Sequence, residues 1–136
     1  MGKPPKIIHS GNVAIRQIYP GVKRKRLVTR ATTGAKTLMF SIAHIDPKKT
    51  SHSWHTHKGS FFDGEREREY PKNFEEFYFV LHGKATVFWR VGKEEKREQA
   101  NEGDLIYFPS SVVEHQVVNT SNEKMVLAII MAPPFT

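Results

Sequence analysis

Residues 51–57 of the chain have the sequence SHSWHTH, and residues 75–83 have the sequence EEFYFVLHG. Successive side chains of a β-strand point to opposite faces, so His55 and His57, two residues apart, point the same way. The second segment begins with glutamates, and His115 lies in a further β-like segment downstream. Imidazole nitrogens and a carboxylate oxygen are suitable ligands for a divalent metal ion. These stretches therefore predict a metal site carried on strands.

The composition narrows the class of protein. A chain of 136 residues with 38% apolar and 26% charged residues suits one globular domain, here residues 1–136. No apolar run approaches the roughly 18 to 20 residues needed to span a bilayer, and no segment resembles a signal peptide. We therefore expect a cytoplasmic protein without membrane contact. The chain has no cysteine, which excludes disulfides, thiolate catalysis and cysteine-ligated zinc.

The chain carries a formal net charge of +7, and its densest basic run is KRKR at residues 23–26. A nucleic-acid surface is one interpretation of such a run. A solvated turn and strand edge is the other, and we favour it because no aromatic residues are interleaved and no helical motif accompanies the run. Nucleic acid is thus an unlikely partner.

Turn residues divide the chain into short apolar segments, and no long window has helical periodicity. The pattern predicts eight to ten strands and an all-β sandwich or barrel. Residues 58–73 are polar, contain two glycines and a proline, and are predicted to form a long loop. The main predicted strands cover residues 37–45, 76–81, 85–91, 96–100, 105–108, 112–119 and 124–131.

Two spaced motifs extend the argument beyond periodicity. In the first, the pair His55 and His57 is followed by Glu76, and six residues separate Glu76 from Gly83. In the second, five residues separate a glycine at position 103 from a proline at position 109, and His115 stands four positions before an asparagine.

With these motifs the sequence resembles the cupins, a family of small jelly-roll β-barrels, over roughly residues 37–130. The resemblance implies a double-stranded β-helix, or jelly-roll barrel, and a homodimer. It also implies that His55, His57, Glu76 and His115 are metal ligands that point into the barrel. The cofactor would be one divalent transition metal, chosen among Fe, Mn, Zn, Ni, Co and Cu, because the ligands offer only nitrogen and oxygen.

The sequence departs from the family pattern in three places. Lys49 occupies the position of the expected glycine before His55, and eighteen residues separate His57 from Glu76, far more than the family's usual few. The second motif has one extra residue, and Ser111 replaces a glycine. The extra residue could form a bulge. The insertion, residues 58–73, should change the mouth of the site.

Other residues could take part in the chemistry. Tyr78 shares a face with Glu76 and could act as a donor or acid, although core packing of an aromatic residue also explains it. His52 could handle protons or contact a substrate. The pair Phe61 and Phe62 could fold over the cavity as a lid, or it could pack on a dimer partner.

Two functions follow from this reading. The first is a metal-dependent enzyme acting on a small organic substrate, of the dioxygenase, decarboxylase, lyase or isomerase type. The alternative is a non-catalytic cupin that binds a small molecule or a sugar. The complete ligand set favours the enzyme, although a fold does not by itself fix a function.

Overall fold

The computed structural model describes residues 2–135 and folds them into two facing antiparallel β-sheets and a separate hairpin. The six-stranded sheet has the order β1-β2-β3-β12-β7-β10, and the four-stranded sheet has the order β4-β11-β8-β9. The hairpin is β5-β6. The strands are β1 Arg16–Tyr19, β2 Val22–Val28, β3 Met39–Ile45, β4 Thr50–His55, β5 Ser60–Phe62, β6 Glu67–Glu69, β7 Glu75–His82, β8 Ala85–Val91, β9 Glu94–Ala100, β10 Leu105–Phe108, β11 His115–Val118 and β12 Met125–Ala132.

Side-chain alternation builds the core between the two sheets. Every second residue of β3 and of β12 is buried, as expected when one face of a strand packs and the other is more accessible. Val80 and Leu127 of one sheet join Ala85 and Val117 of the other in a single apolar cluster. The space between the sheets is thus filled with side chains over most of its extent, and polar groups within it require a specific reason.

The all-β jelly-roll fold expected from the sequence is confirmed. The predicted strands 85–91 and 105–108 have the observed bounds. The strand count is higher than expected, because residues 58–73 are not a structureless loop but contain β5 and β6. Helical structure in the described residues is limited to the one-turn helix α1, Arg30–Thr33, and a 3-10 turn at Ser10–Asn12. No helix within residues 2–135 is long and apolar enough to cross a membrane.

The basic run lies in β2, which pairs with β3 along the whole run and with β1 at residues 22–24. The expectation of a solvated turn and strand edge is therefore wrong for Arg24, which is paired on both sides and buried. Strand alternation divides the run: Lys23 is exposed, whereas Arg24 is buried with 8% of its surface accessible. The four charges do not share one surface, which removes the geometric basis for a continuous cationic patch.

A buried asparagine closes the end of the β11–β12 connection. The Nδ2 group of Asn119 donates to the carbonyls of Ile45 at 3.0 Å, Asp46 at 3.2 Å and Glu123 at 2.7 Å. Its Oδ1 accepts from the backbone N–H and the hydroxyl of Ser121. Asn119 is wholly inaccessible to solvent, so one side chain satisfies polar groups from three segments that would otherwise be buried without partners.

Replacing this residue by Asn119→Ala should lower the free energy of unfolding by about 2–4 kcal/mol, since several buried carbonyls lose their donor at once. Urea unfolding followed by circular dichroism measures the change. Asn122→Ala, at an exposed position of the same turn, is the matched control and should change stability by less than about 0.5 kcal/mol. Equal effects of the two substitutions would contradict the assigned role of Asn119.

Candidate metal centre

Three imidazoles meet inside the sandwich. His55 ends β4, His115 begins β11, and the two residues are direct partners across this antiparallel pair. His57 follows two residues after His55 and is buried, with 5% of its surface accessible. One nitrogen from each of the three rings lies within 4.8 Å of the others. The cluster could hold a metal ion, as the His-x-His spacing and the downstream histidine predicted.

Backbone carbonyls fix the orientation of two of these rings. The Nδ1 of His55 lies 2.7 Å from the Ser53 carbonyl, and the Nδ1 of His115 lies 2.8 Å from the Val113 carbonyl. A carbonyl only accepts, so Nδ1 carries the hydrogen in each ring. In the neutral imidazole, the free lone pair is then on Nε2. Such a hydrogen bond commonly orients a metal-ligating histidine from behind.

The third ring provides a further indication that an ion fits. His57 Nδ1 is buried and has no hydrogen-bond partner, and His57 Nε2 lies 3.7 Å from Glu76 Oε1. Buried polar nitrogens are rarely left without partners, and a metal ion is one recognised explanation. Together with the two oriented rings, the donor atoms present are those that suit a divalent transition metal.

Burial keeps the imidazoles neutral. It lowers the pKa of His57 to about 3, with additional lowering from His115 and His55. It lowers the pKa of His115 to about 4, against the effect of the Val113 carbonyl, and it also lowers the pKa of His55. The lone pairs are therefore not blocked by protons near neutral pH, which is the state that metal binding needs.

Glu76 faces this cluster from β7 of the opposite sheet. Its side chain is buried with 8% of the residue accessible, whereas its neighbour Glu75 is exposed and accepts a hydrogen bond from Tyr107. Burial raises the pKa of Glu76 to about 7, and the positive charge of Arg24 opposes that rise. Like Arg24, a divalent ion held by the histidines would lower the pKa of Glu76. The alternation of β7 thus distinguishes Glu76 from Glu75 in the way that the motif spacing predicted.

A β-bulge brings His52 to the same side as the cluster. His55 pairs with His115 and His52 pairs with Val117, so β4 has one residue more than β11 between the two pairs. Strict alternation would place His52 and His55 on opposite faces, but their ring centroids lie 4.9 Å apart. Trp54, inside the bulge, packs instead under the guanidinium of Arg90 at 3.7 Å.

Tyr78 also points into the sandwich, from the same face of β7 as Glu76, and packs edge-on against Phe108. Burial raises the pKa of its hydroxyl above the usual range, with a further increase from Glu76 and an opposing effect of Arg24. The hydroxyl thus retains its proton at any physiological pH and is a donor beside the cluster.

The inserted segment covers one side of the histidines. The ring of Tyr70 lies 5.5 Å from that of His57, and Phe74 stacks on His57 with centroids 4.5 Å apart. Phe61 stacks on Tyr70 at 4.5 Å. Phe61 thus packs against the aromatic cover within its own chain. Sequence analysis did not identify Tyr70 or Phe74 as site residues, because no periodicity extends through this segment.

The hairpin within this segment is tied down by Asp63. The carboxylate of Asp63 accepts from the backbone N–H of Glu65 at 2.7 Å and of Arg66 at 2.9 Å, and it also pairs with Arg68. Arg26 of β2 donates from Nη2 to the Asp63 carbonyl at 2.6 Å. The cover over the histidines is therefore attached to the six-stranded sheet by a specific ion-pair and hydrogen-bond network.

Arg24 is the second group that sequence analysis did not assign to the site. It points inward from β2, and its Nη2 donates to His52 Nε2 at 2.5 Å. Strand alternation in β2 could have predicted that Arg24 points inward, because it shares a face with the apolar Val22. The four consecutive charges instead suggested a surface segment, where such residues usually lie.

A groove of about 630 Å³ reaches the cluster from another direction. It opens between β9 and β10, the edge strands of the two sheets, where Leu105 and Tyr107 are about half exposed. His115 is buried at its inner side. The other side chains of its wall are mostly apolar and include Val87, Trp89, Ile106, Phe108, Val112 and Val113.

Comparisons with known proteins agree with this architecture. A family model described as the cupin domain matches residues 63–131. KdgF from Halomonas sp. is similar in structure, with a TM-score of 0.67, 15% identity and 96% of each chain covered. A predicted oxalate decarboxylase from Thermotoga maritima has a TM-score of 0.68 and 17% identity, covering 95% of this chain and 100% of its own.

A sugar phosphate isomerase of the cupin superfamily from Silicibacter pomeroyi has a TM-score of 0.70 and 18% identity, covering 96% of this chain and 76% of its own. A search of curated protein sequences finds no significant match. At these identities the structural likeness shows the fold alone.

Acidification should destabilise the metal-free protein. Histidine has an ordinary pKa of 6.5, whereas burial holds that of His57 at about 3 and that of His115 at about 4. Below about pH 6.5 the unfolded chain binds protons that the folded chain does not, so stability present above that pH is lost as the pH falls. Each of these two histidines should cost on the order of 2 kcal/mol at pH 5. Glu76 has the opposite effect, because its raised pKa makes the folded chain bind a proton more readily than the unfolded chain, and this offsets part of the loss of stability.

The measurement is the Tm of the chelator-treated protein between pH 7.5 and 5, which should fall as the pH falls. His57→Gln should reduce the slope, and His9→Gln, at an exposed position, should leave it unchanged. A Tm that stays constant or rises on acidification would show that the histidines are not held neutral by burial.

Proposed function

The chain belongs to the cupin superfamily, and we propose that it is a metal-dependent enzyme acting on a small organic substrate. The observation that carries the proposal is the convergence of His55, His57 and His115, with two rings oriented by carbonyls so that Nε2 is free. A purely structural cluster of histidines would gain nothing from two free Nε2 lone pairs directed beside a third, buried imidazole.

The proposed cofactor is one divalent transition metal, held by the three histidines and Glu76. The donor set suits Fe, Mn, Co, Ni, Cu or Zn. When bound, such an ion supplies Lewis-acid polarisation of an oxygen atom or a position for an activated ligand. Glu76 would contribute the anionic oxygen, and its 3.7 Å separation from His57 Nε2 supports its inclusion in the set.

The remaining residues would position a substrate and manage protons. Tyr78 retains its phenolic hydrogen and would donate it in a hydrogen bond beside the centre. His52 accepts from Arg24 at Nε2, so its Nδ1 carries the hydrogen in the neutral ring. Tyr70 and Phe74 would exclude water on the side of His57.

The groove beside His115 supports a small organic substrate as the ligand. Its volume of about 630 Å³ lies within the range usual for small-molecule sites, and its mostly apolar wall fits an organic body. The structural neighbours include an isomerase and a predicted decarboxylase by name. These names differ in reaction, so a dioxygenase, decarboxylase, lyase or isomerase activity each falls within the proposal.

A homodimer and a cytoplasmic location also belong to the proposal. The homodimer is implied by the resemblance to the cupins. The location is an expectation from sequence.

Metal analysis tests the enzyme directly. Protein produced with metals available should contain about one transition-metal ion per chain, as measured by inductively coupled plasma mass spectrometry. His57→Ala should reduce that content at least tenfold, because removing one strong ligand from a four-ligand site typically weakens binding by that much or more. His44→Ala, on β3 and outside the cluster, is the control.

A wild-type protein that neither carries nor binds metal would refute the enzyme proposal. A metal-loaded protein that binds small acids or diols, yet turns over none of them above the His57→Ala background, would instead support the non-catalytic binding cupin.

The aromatic cover predicts slow metal exchange. Tyr70→Ala should accelerate loss of the bound metal to a chelator several-fold, because the ring beside His57 no longer blocks access. The measurement is stopped-flow release of metal monitored with a chromogenic chelator. Lys72→Ala, exposed in the same segment, is the matched control. Unchanged release from Tyr70→Ala would show that the ring does not restrict access.

A further inference from the structure

The position of Arg24 is unusual for an arginine. It projects from β2 into the space between the sheets with 8% of its surface accessible. Within residues 2–135, no other lysine or arginine is among the buried residues. Burying a guanidinium is costly unless it is paired, and such residues usually meet a carboxylate.

Arg24 does not have that partner within the described part of the chain. Arg16, Arg68 and Arg90 each form an ion pair with a carboxylate, but Arg24 forms none. Its Nη2 donates to the neutral ring of His52, the guanidinium also hydrogen-bonds to the Tyr78 hydroxyl, and its Nε is buried without a hydrogen-bond partner. The free energy cost of this buried cation is thus only partly offset within the protein.

The guanidinium lies one ring away from the candidate metal centre. His52 touches Arg24 on one side, and on the other its ring centroid is 4.9 Å from that of His55. Glu76 and Tyr78 are close enough for the charge of Arg24 to act on both. Arg24 therefore belongs to the same enclosure as the candidate centre, with the ring of His52 between the guanidinium and His55.

We propose that Arg24 binds the carboxylate of a small organic acid at this site, so that the substrate is an anion. The inference rests on the proposed metal-dependent function and names its substrate class. The Nε–H of Arg24 is unpaired. In a guanidinium, Nε–H and one Nη2 hydrogen lie on the same edge and form a fork that matches the two oxygens of a carboxylate.

The charge balance of the site agrees with an anionic ligand. Glu76 is the one carboxylate that faces the histidines and Arg24 among the described residues. A divalent ion together with the guanidinium exceeds the charge of that single carboxylate, and an organic acid would offset the excess. A carboxylate fits better than a phosphate, because only one fixed cation is buried there and a phosphate dianion usually meets several donors.

Ligand binding to metal-loaded and metal-free protein tests the proposal. The probes are oxalate, malonate and lactate, with inorganic phosphate and ethylene glycol for comparison, measured by calorimetry and by Tm shift. At least one carboxylate should bind the loaded wild type. Arg24→Gln should weaken that binding at least tenfold while its metal content stays equal to that of the wild type. Lys23→Gln, exposed on the same strand, should change neither.

Arg24→Lys separates recognition from folding. It retains the charge but not the fork, so it should fold as the wild type does and still lose most of the carboxylate affinity. If Arg24→Gln fails to fold, the lysine variant decides the question. Full carboxylate affinity in Arg24→Lys would overturn the fork, and full affinity in a folded Arg24→Gln would overturn the role of Arg24 altogether.

The measurements on metal-free protein show whether a failure concerns carboxylate binding by Arg24 or the proposed metal-dependent function. Carboxylates should raise the Tm of the chelator-treated wild type but not that of Arg24→Gln, whether or not the protein uses a metal. Tighter binding of phosphate than of every carboxylate would overturn the assigned substrate class. Absence of any anion binding in both arms would overturn the proposal, and failure to load metal would count only against the proposed function.

Discussion

The pairing of β4 with β11 is the constraint on which the candidate site depends. These strands bring His55 and His115 side by side although fifty-nine residues of chain lie between them. The backbone carbonyls of Ser53, in β4, and of Val113, two residues before β11, also orient both rings from behind. A shift of one residue in this register would turn one of the two imidazoles to the opposite face of the sheet, and the histidines would no longer lie together. The relative position of these two imidazoles is thus set by a strand ladder, and His57 joins them from the segment that follows β4.

Two opposing electrostatic effects follow from enclosing that ladder in an apolar sandwich. Burial keeps the imidazoles neutral and raises the pKa of Glu76 to about 7. The same burial surrounds Arg24, whose charge partly restores the tendency of Glu76 to ionise. Neutral nitrogen donors, a carboxyl group with a raised pKa and a guanidinium without a carboxylate partner therefore share one enclosure. Such a group of perturbed residues is more typical of a functional site than of a packed core.

The fold and the set His55, His57, Glu76 and His115 were predicted from the resemblance to the cupins. Strand alternation by itself indicated only that His55 and His57 share a face and could not choose between Glu75 and Glu76. It could not predict the position of His52, since the bulge in β4 is invisible to a period of two. Sequence analysis also did not place Arg24, because the four consecutive charges suggested a surface segment.

Tyr70 escaped prediction for a different reason. It belongs to an insertion whose conformation is set by tertiary contacts with Phe61 and Phe74, and local propensity carries no information about those partners. The segments that depart from the family pattern are thus the ones that sequence reasoning described least well. They include residues 109–113, where the second motif has its extra residue and where the chain forms part of the groove wall.

The anchoring of the hairpin has a consequence for how this protein can be altered. Arg24 and Arg26 lie on the same face of β2, two residues apart; the first enters the site and the second holds the carbonyl of Asp63. The insertion and the β2 arginines therefore have to be exchanged together in a chimeric protein. A relative that received residues 58–73 but had no arginine at the position of Arg26 would lack the hydrogen bond that holds the hairpin on the sheet. Exchanging β2 together with the insertion would carry both.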